Sequence, residues 1–106
     1  TIGFPTLNIG VSADRALPPN GVYVTRALLG DHQFHAVTNI GTRPTFDGGD
    51  ERKVETHLLD FEGDLYGQVV SIELLSRLRP EMKFSGADAL VEQIRTDVVT
   101  TREWFA

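Results

Sequence analysis

Gln68-Val69-Val70-Ser71-Ile72-Glu73-Leu74-Leu75-Ser76-Arg77-Leu78 is the cleanest run of alternation in the chain, and beyond it the apolar period changes. Val70, Ile72 and Leu74 share one face with Leu78, while Ser71, Glu73 and Arg77 share the other. That two-residue beat is the signature of a half-buried strand. After it, Ser85 is a favourable N-cap residue with Asp88 three positions on, and Leu90, Val91, Ile94 and Val98 recur at helical spacing. One amphipathic helix over about 86–104 is therefore predicted to close the chain.

Working back from that run, the rest of the chain is strand-like. Apolar, β-branched runs occupy 22–29, 33–40 and 54–60, and breaker-rich segments at 12–21, 41–51 and 61–67 separate the runs. Gly30-Asp31-His32 reads as a hairpin turn between two of them. Consecutive strands with no helix between them argue for an antiparallel sheet. Few strands around one core favour closure, so the fold class predicted is mainly β: an antiparallel Greek-key β-barrel with a C-terminal α-helix.

The chain of 106 residues is 41% hydrophobic and 24% charged, which suits one globular domain over 1–106. No apolar run approaches the roughly 20 residues that span a bilayer, so no membrane association is expected. Cysteine is absent. That removes disulfides, thiolate metal sites and cysteine nucleophiles together, and it fits a cytoplasmic location. The formal net charge of -5, without a block of basic residues, argues against nucleic acid as a partner. A small anionic ligand stays open, since a local arginine or a divalent cation outweighs a weakly acidic surface.

Several segments offer chemistry, each with a plainer reading beside it. If Pro5 to Val11 is extended, Thr6 and Asn8 fall on one face and offer two neutral oxygens, enough for magnesium where phosphates and water supply the rest. The plainer reading is an edge strand with Asn8 capping a turn. In 54–60, alternation puts Glu55, His57 and Leu59 on one face and Val54, Thr56 and Leu58 on the other. A carboxylate beside a histidine can act as a general base, or both can be solvated surface. The segment 39–46 either closes over a ligand or is a strand connection with Phe46 tucked into the core. Arg79 either meets a phosphate or a polar ring edge, or pairs with Glu81. His32 and His35 read as surface residues, and Trp104 and Phe105 as packing. No Gly-Lys-Ser/Thr loop, Gly-x-Ser-x-Gly or His-Glu-x-x-His is present.

In order along the chain stand Gly-Phe-Pro-Thr-Leu-Asn-Ile, Leu-Pro-Pro-Asn-Gly-Val-Tyr, Asn-Ile-Gly-Thr-Arg-Pro-Thr-Phe, Val-Glu-Thr-His-Leu-Leu-Asp-Phe, Asp-Leu-Tyr-Gly and Leu-Arg-Pro-Glu-x-Lys-Phe. This series resembles the riboflavin kinase family, from Thr1 to about Arg102. The resemblance implies a six-stranded antiparallel barrel with a C-terminal helix. It implies a reaction in which ATP and riboflavin give ADP and FMN with Mg2+. Glu55 matches the catalytic base, and Thr6 and Asn8 match positions that meet the metal and the nucleotide phosphates. Pro5, His57 and Tyr66 fall on the nucleotide side, and Arg79 and Phe84 on the flavin side. In bacteria such a domain is usually the C-terminal half of a bifunctional protein whose N-terminal half is an FMN adenylyltransferase. Relatives carry another strand and a Gly/Arg-rich loop before the position of Thr1, which implies a piece truncated at its N-terminus, lacking the first barrel strand. The alternative is a non-catalytic flavin- or nucleotide-binding β-barrel.

Overall fold

The computed structural model describes residues 18–61, 63 and 70–106, together with the backbone of 6–9. Five strands, β1 (Thr6–Ile9), β2 (Gly21–Leu29), β3 (His32–Pro44), β4 (Asp50–Leu58) and β5 (Ser71–Arg79), precede one helix, α1 (Ala87–Phe105). The strands form one antiparallel sheet in the order β1-β4-β3-β2-β5. β2, β3 and β4 are a meander, and β5 returns to lie beside β2, which is a Greek key.

The mainly-β class and the terminal helix are as predicted; closure is not. Among the described residues β1 pairs only with β4 and β5 only with β2, so they are the two edges of an open sheet. A closed barrel needs a ladder joining those edges, and none is formed between them among the described residues.

The predicted loop at 41–51 is also shorter than expected. β3 continues to Pro44 and β4 begins at Asp50, with Pro44 and Asp50 in register at the end of an unbroken ladder. Gly41 and Pro44 look like breakers in sequence, but neither interrupts the pairing. The turn closes over 45–49, where Thr45 N–H donates to the Gly49 carbonyl and Gly48 takes φ 84. Phe46 sits on this turn fully exposed, so of the two readings of 39–46 the one with Phe46 tucked into the core does not hold. The β2–β3 hairpin turns where Gly30 was predicted to turn it, with Leu29 and His32 paired and Gly30 at φ 59.

The clean alternation of the last strand is broken twice. Thr25 pairs with Leu74 but Val24 with Ser76; Tyr23 pairs with Arg77 but Val22 with Arg79. Leu75 and Leu78 are therefore each an extra residue on β5, and a one-residue bulge flips every side chain beyond it. Leu78 packs with the Val22 cluster while Val70 and Ile72 pack with the Ala27 cluster, so the predicted common face is split, and Leu74 is exposed.

α1 starts one residue later than predicted. Gly86, not Ser85, is the N-cap residue, with an extended backbone and no side-chain cap bond. Asp88 in the first turn suits the positive end of the helix dipole. The buried stripe of α1 is Ile94, Asp97, Val98 and Thr101, at the i, i+3, i+4, i+7 spacing of an amphipathic helix. Ile94 and Val98 pack on Val22, Val37 and Leu59, with Leu78 against them. The opposite face of the sheet carries Tyr23, Ile40 and Val54 in one cluster and Ala27, Ala36 and Leu58 in another. No helix among the described residues is long and apolar enough to cross a membrane.

Candidate active site

A cavity of about 180 Å³ lies between the helix-facing side of the sheet and α1. Val22, Val37, Ile94 and Val98 make it apolar at the base, and Met82 and Phe84, from the segment after β5, wall one side. Into it come Asn39, Glu55, His57, Arg43, Arg79 and Asp97.

The strand registers explain that convergence. Directly opposed residues in an antiparallel ladder share a face, with Cβ atoms about 4.5–5.5 Å apart. Val22 opposes Asn39, Asn39 opposes Glu55, and Glu55 opposes Asn8, so one row crosses four strands. The next row runs Val24, Val37, His57 and Thr6. The two segments that stand almost fifty residues apart in sequence are therefore neighbours in the sheet. Arg79 joins the first row through its pairing with Val22, and it does so because of the two bulges. Without them Arg77 would oppose Val22, since Thr25–Leu74 sets that register.

Both arginines of the cavity are held in ion pairs. Arg79 donates from Nε to Asp97 Oδ1 at 3.0 Å and from Nη2 to Asp97 Oδ2 at 2.8 Å, with a further bond to the Pro80 carbonyl. Gln93 Nε2 also donates to Asp97. The side chains of Arg79 and Asp97 are only 18% and 7% exposed, so this bidentate pair is largely out of water. The alternative partner considered for Arg79, Glu81, is taken by Arg43 at 3.0 Å. Gly41 leaves room for that second pair: a Cβ there would lie 1.8 Å from Glu81 Oε2.

His57 is buried at 9% exposure rather than solvated. Burial lowers the pKa of its imidazole, with Glu55 and Asp97 pulling in the opposite direction. It is held as the neutral ring, a hydrogen-bonding group without charge. Asn39 contributes a buried Oδ1 that accepts no hydrogen bond.

Of the residues singled out from sequence, Glu55, His57, Arg79 and Phe84 line this one cavity, and Thr6 and Asn8 hold register positions opposite His57 and Glu55. Pro5 and Tyr66 lie outside the described residues. Asp97 was missed as a site residue, while Asn39 and Arg43 belong to the segment 39–46 that was weighed as closing over a ligand but were not singled out in it. Asp97 had a legible signal, a carboxylate between Ile94 and Val98 on the apolar stripe. Asn39 had a weaker one, the face it shares with Val37.

A family profile described as Flavokinase, riboflavin kinase, matches residues 1–105. A bifunctional riboflavin kinase/FMN adenylyltransferase of Bacillus subtilis is 38% identical over 100% of this chain and 34% of its own length. The protein of that name from Escherichia coli K12 is 42% identical over 99% of this chain and 33% of its own. The crystal structure of a macrolide-efflux protein from Streptococcus pneumoniae superposes with a TM-score of 0.87 at 36% identity, covering 97% of this chain and 34% of that one. The chain thus spans about a third of the length of the curated relatives it matches.

Proposed function

We propose that this chain, which belongs to the riboflavin kinase family, transfers the γ-phosphate of ATP to the 5′-hydroxyl of riboflavin, giving FMN and ADP. The observation that carries the reading is the row that sets Asn8 opposite Glu55 at the cavity, with Thr6 opposite His57 beside it. That register supports reading β1 as the source of neutral oxygen donors for a metal-bound phosphate and β4 as the source of a carboxylate for an alcohol.

Phosphoryl transfer asks a protein mainly for positioning and charge stabilisation. Glu55 accepts the proton of the 5′-hydroxyl as that oxygen bonds to the γ-phosphorus, while the bond from phosphorus to the leaving ADP oxygen breaks. The cavity volume of about 180 Å³ is below the roughly 300–1,000 Å³ of sites that enclose a whole ligand of this size, so it takes one end of the substrate. Its apolar base and Phe84 suit the flavin ring. Arg79 suits it too: tied through Nε and Nη2 to Asp97, it is a neutralised pair that has little charge left for a phosphate.

The donor chemistry of the opposite strand fits Mg2+. Thr6 and Asn8 would hold it with neutral oxygens, and among the described residues no group of three acidic or histidine side chains competes as a metal site. When bound, the ion neutralises charge on the phosphates. Pro5, Thr6, Asn8, His57 and Tyr66 form the nucleotide side. Residues 1–106 act as one kinase domain, and the length of the relatives supports an attached N-terminal FMN adenylyltransferase module. The supply of ATP suits a cytoplasmic location.

The test is to incubate the chain with riboflavin, ATP and Mg2+ and follow FMN by chromatography. FMN formation is expected. Tight riboflavin binding without FMN would leave a binding module in place of the kinase.

A further inference from the structure

Asn39 takes no part in the proton transfer or the metal contacts, yet it occupies a central place in the site. It stands on β3 directly opposite Glu55 on β4, lines the same cavity, and has Val22 on its other side. Its Oδ1 is buried without a hydrogen-bond partner. Buried acceptors are nearly always satisfied, because leaving one unpaired forfeits the hydrogen bond it had with water. An unpaired acceptor on a residue that lines a cavity is a group that a ligand's donor can satisfy.

The kind of ligand group is set by which atoms carry hydrogen. Phosphate oxygens of ATP donate nothing to an amide oxygen; the flavin ring N3–H, the adenine amino group and sugar or polyol hydroxyls do, and position decides among them. Resting on the kinase reading, the reacting hydroxyl lies at Glu55, and a directly opposed side chain about 4.5–5.5 Å away meets the next part of the same substrate. That part is the polyol chain, whose hydroxyls stand on successive carbons. We propose that Asn39 is a substrate-binding residue whose Oδ1 accepts a hydrogen bond from a ribityl hydroxyl neighbouring the one that reacts. It thereby makes the site select a polyol-bearing flavin over the bare ring.

The decisive comparison replaces Asn39 by leucine, which keeps the side-chain shape and removes the acceptor. Dissociation constants for riboflavin and for lumichrome, the ring without its ribityl chain, are measured by fluorescence quenching, and the ligand-free thermal midpoint alongside. Asn39→Leu is expected to weaken riboflavin about ten-fold and to leave lumichrome unchanged. The thermal midpoint should hold or rise, because an unpaired buried group has been removed. A purely structural asparagine would instead lower the midpoint. Unchanged riboflavin affinity, or equal weakening of both ligands, would overturn the proposal. Should Asn39→Leu fail to fold, Asn39→Ala carries the same ligand comparison. A wild-type chain that binds no riboflavin defeats the kinase reading and this inference together, whereas normal binding that survives Asn39→Leu defeats this inference alone.

Discussion

The two faces of β4 are built from adjacent residues and treat their polar groups in opposite ways. On one face Thr56 hydrogen-bonds Thr38 at 2.8 Å, and Thr38 bonds Thr25 at 2.9 Å, with all three hydroxyl residues fully enclosed. Each hydroxyl there has a partner from the next strand, so the row is complete without a ligand. On the other face Glu55, His57 and the neighbouring Asn39 open into a cavity, and Asn39 keeps an unfilled acceptor. Polar groups that satisfy each other serve the fold. Polar groups left facing a cavity serve whatever enters it.

Changes on the two faces should therefore separate activity from stability. The largest effect is expected from Glu55→Gln, which keeps the shape and removes the base. Turnover should fall about 10³-fold, with riboflavin binding and the unfolding midpoint nearly unchanged. Near-native turnover would remove Glu55 from the role of base.

Asp97→Asn should cost about 3 kcal/mol of stability, read from the urea midpoint, because it strands the guanidinium of Arg79 in a largely dry site. It belongs to the cavity, so it blurs the division between the faces and should weaken riboflavin as well. Thr38→Val restores the division. It removes the shared partner of two enclosed hydroxyls, and a loss of about 2 kcal/mol with unchanged turnover is expected.

The smallest effect is in pH. Because burial lowers the pKa of His57 from its ordinary value of about 6.5, the unfolded chain takes up a proton before the folded one does as pH falls. Stability contributed by the neutral ring is thus fully present above about pH 6.5. It declines below that, until the folded ring also protonates, at no more than about 1.4 kcal/mol per pH unit. His57→Gln should flatten this part of the stability profile, and an unchanged slope would assign the loss to other groups.

Legibility in the sequence divides along the same line. Alternation in 54–60 put Glu55 and His57 on one face and Val54, Thr56 and Leu58 on the other, and the clusters agree. The helix was legible from its period, as was its stripe at Ile94 and Val98, but Leu90 is exposed and the buried Asp97 and Thr101 lie outside the apolar pattern. Three other features were not legible. The extension of β3 and β4 past Gly41 and Pro44 depends on cross-strand pairing, which overrides the local signal of both residues. The salt-bridge partners of Arg79 and Arg43 depend on how α1 and the segment after β5 are seated against the sheet. The bulges at Leu75 and Leu78 leave no mark in composition, because a leucine in a bulge reads like a leucine in a ladder.

Those bulges have a genetic consequence. β5 carries Arg77 and Arg79 two positions apart, and only counting from the start of the strand decides which of them reaches the cavity. The strand behaves as a reading frame: pairing the same nine residues without the two bulges would keep its composition, its apolar character and its arginines, yet present Arg77 instead of Arg79 to α1. In an alignment, a gap placed inside β5 would look harmless and would transfer the role of Arg79 to a residue with no aspartate waiting for it.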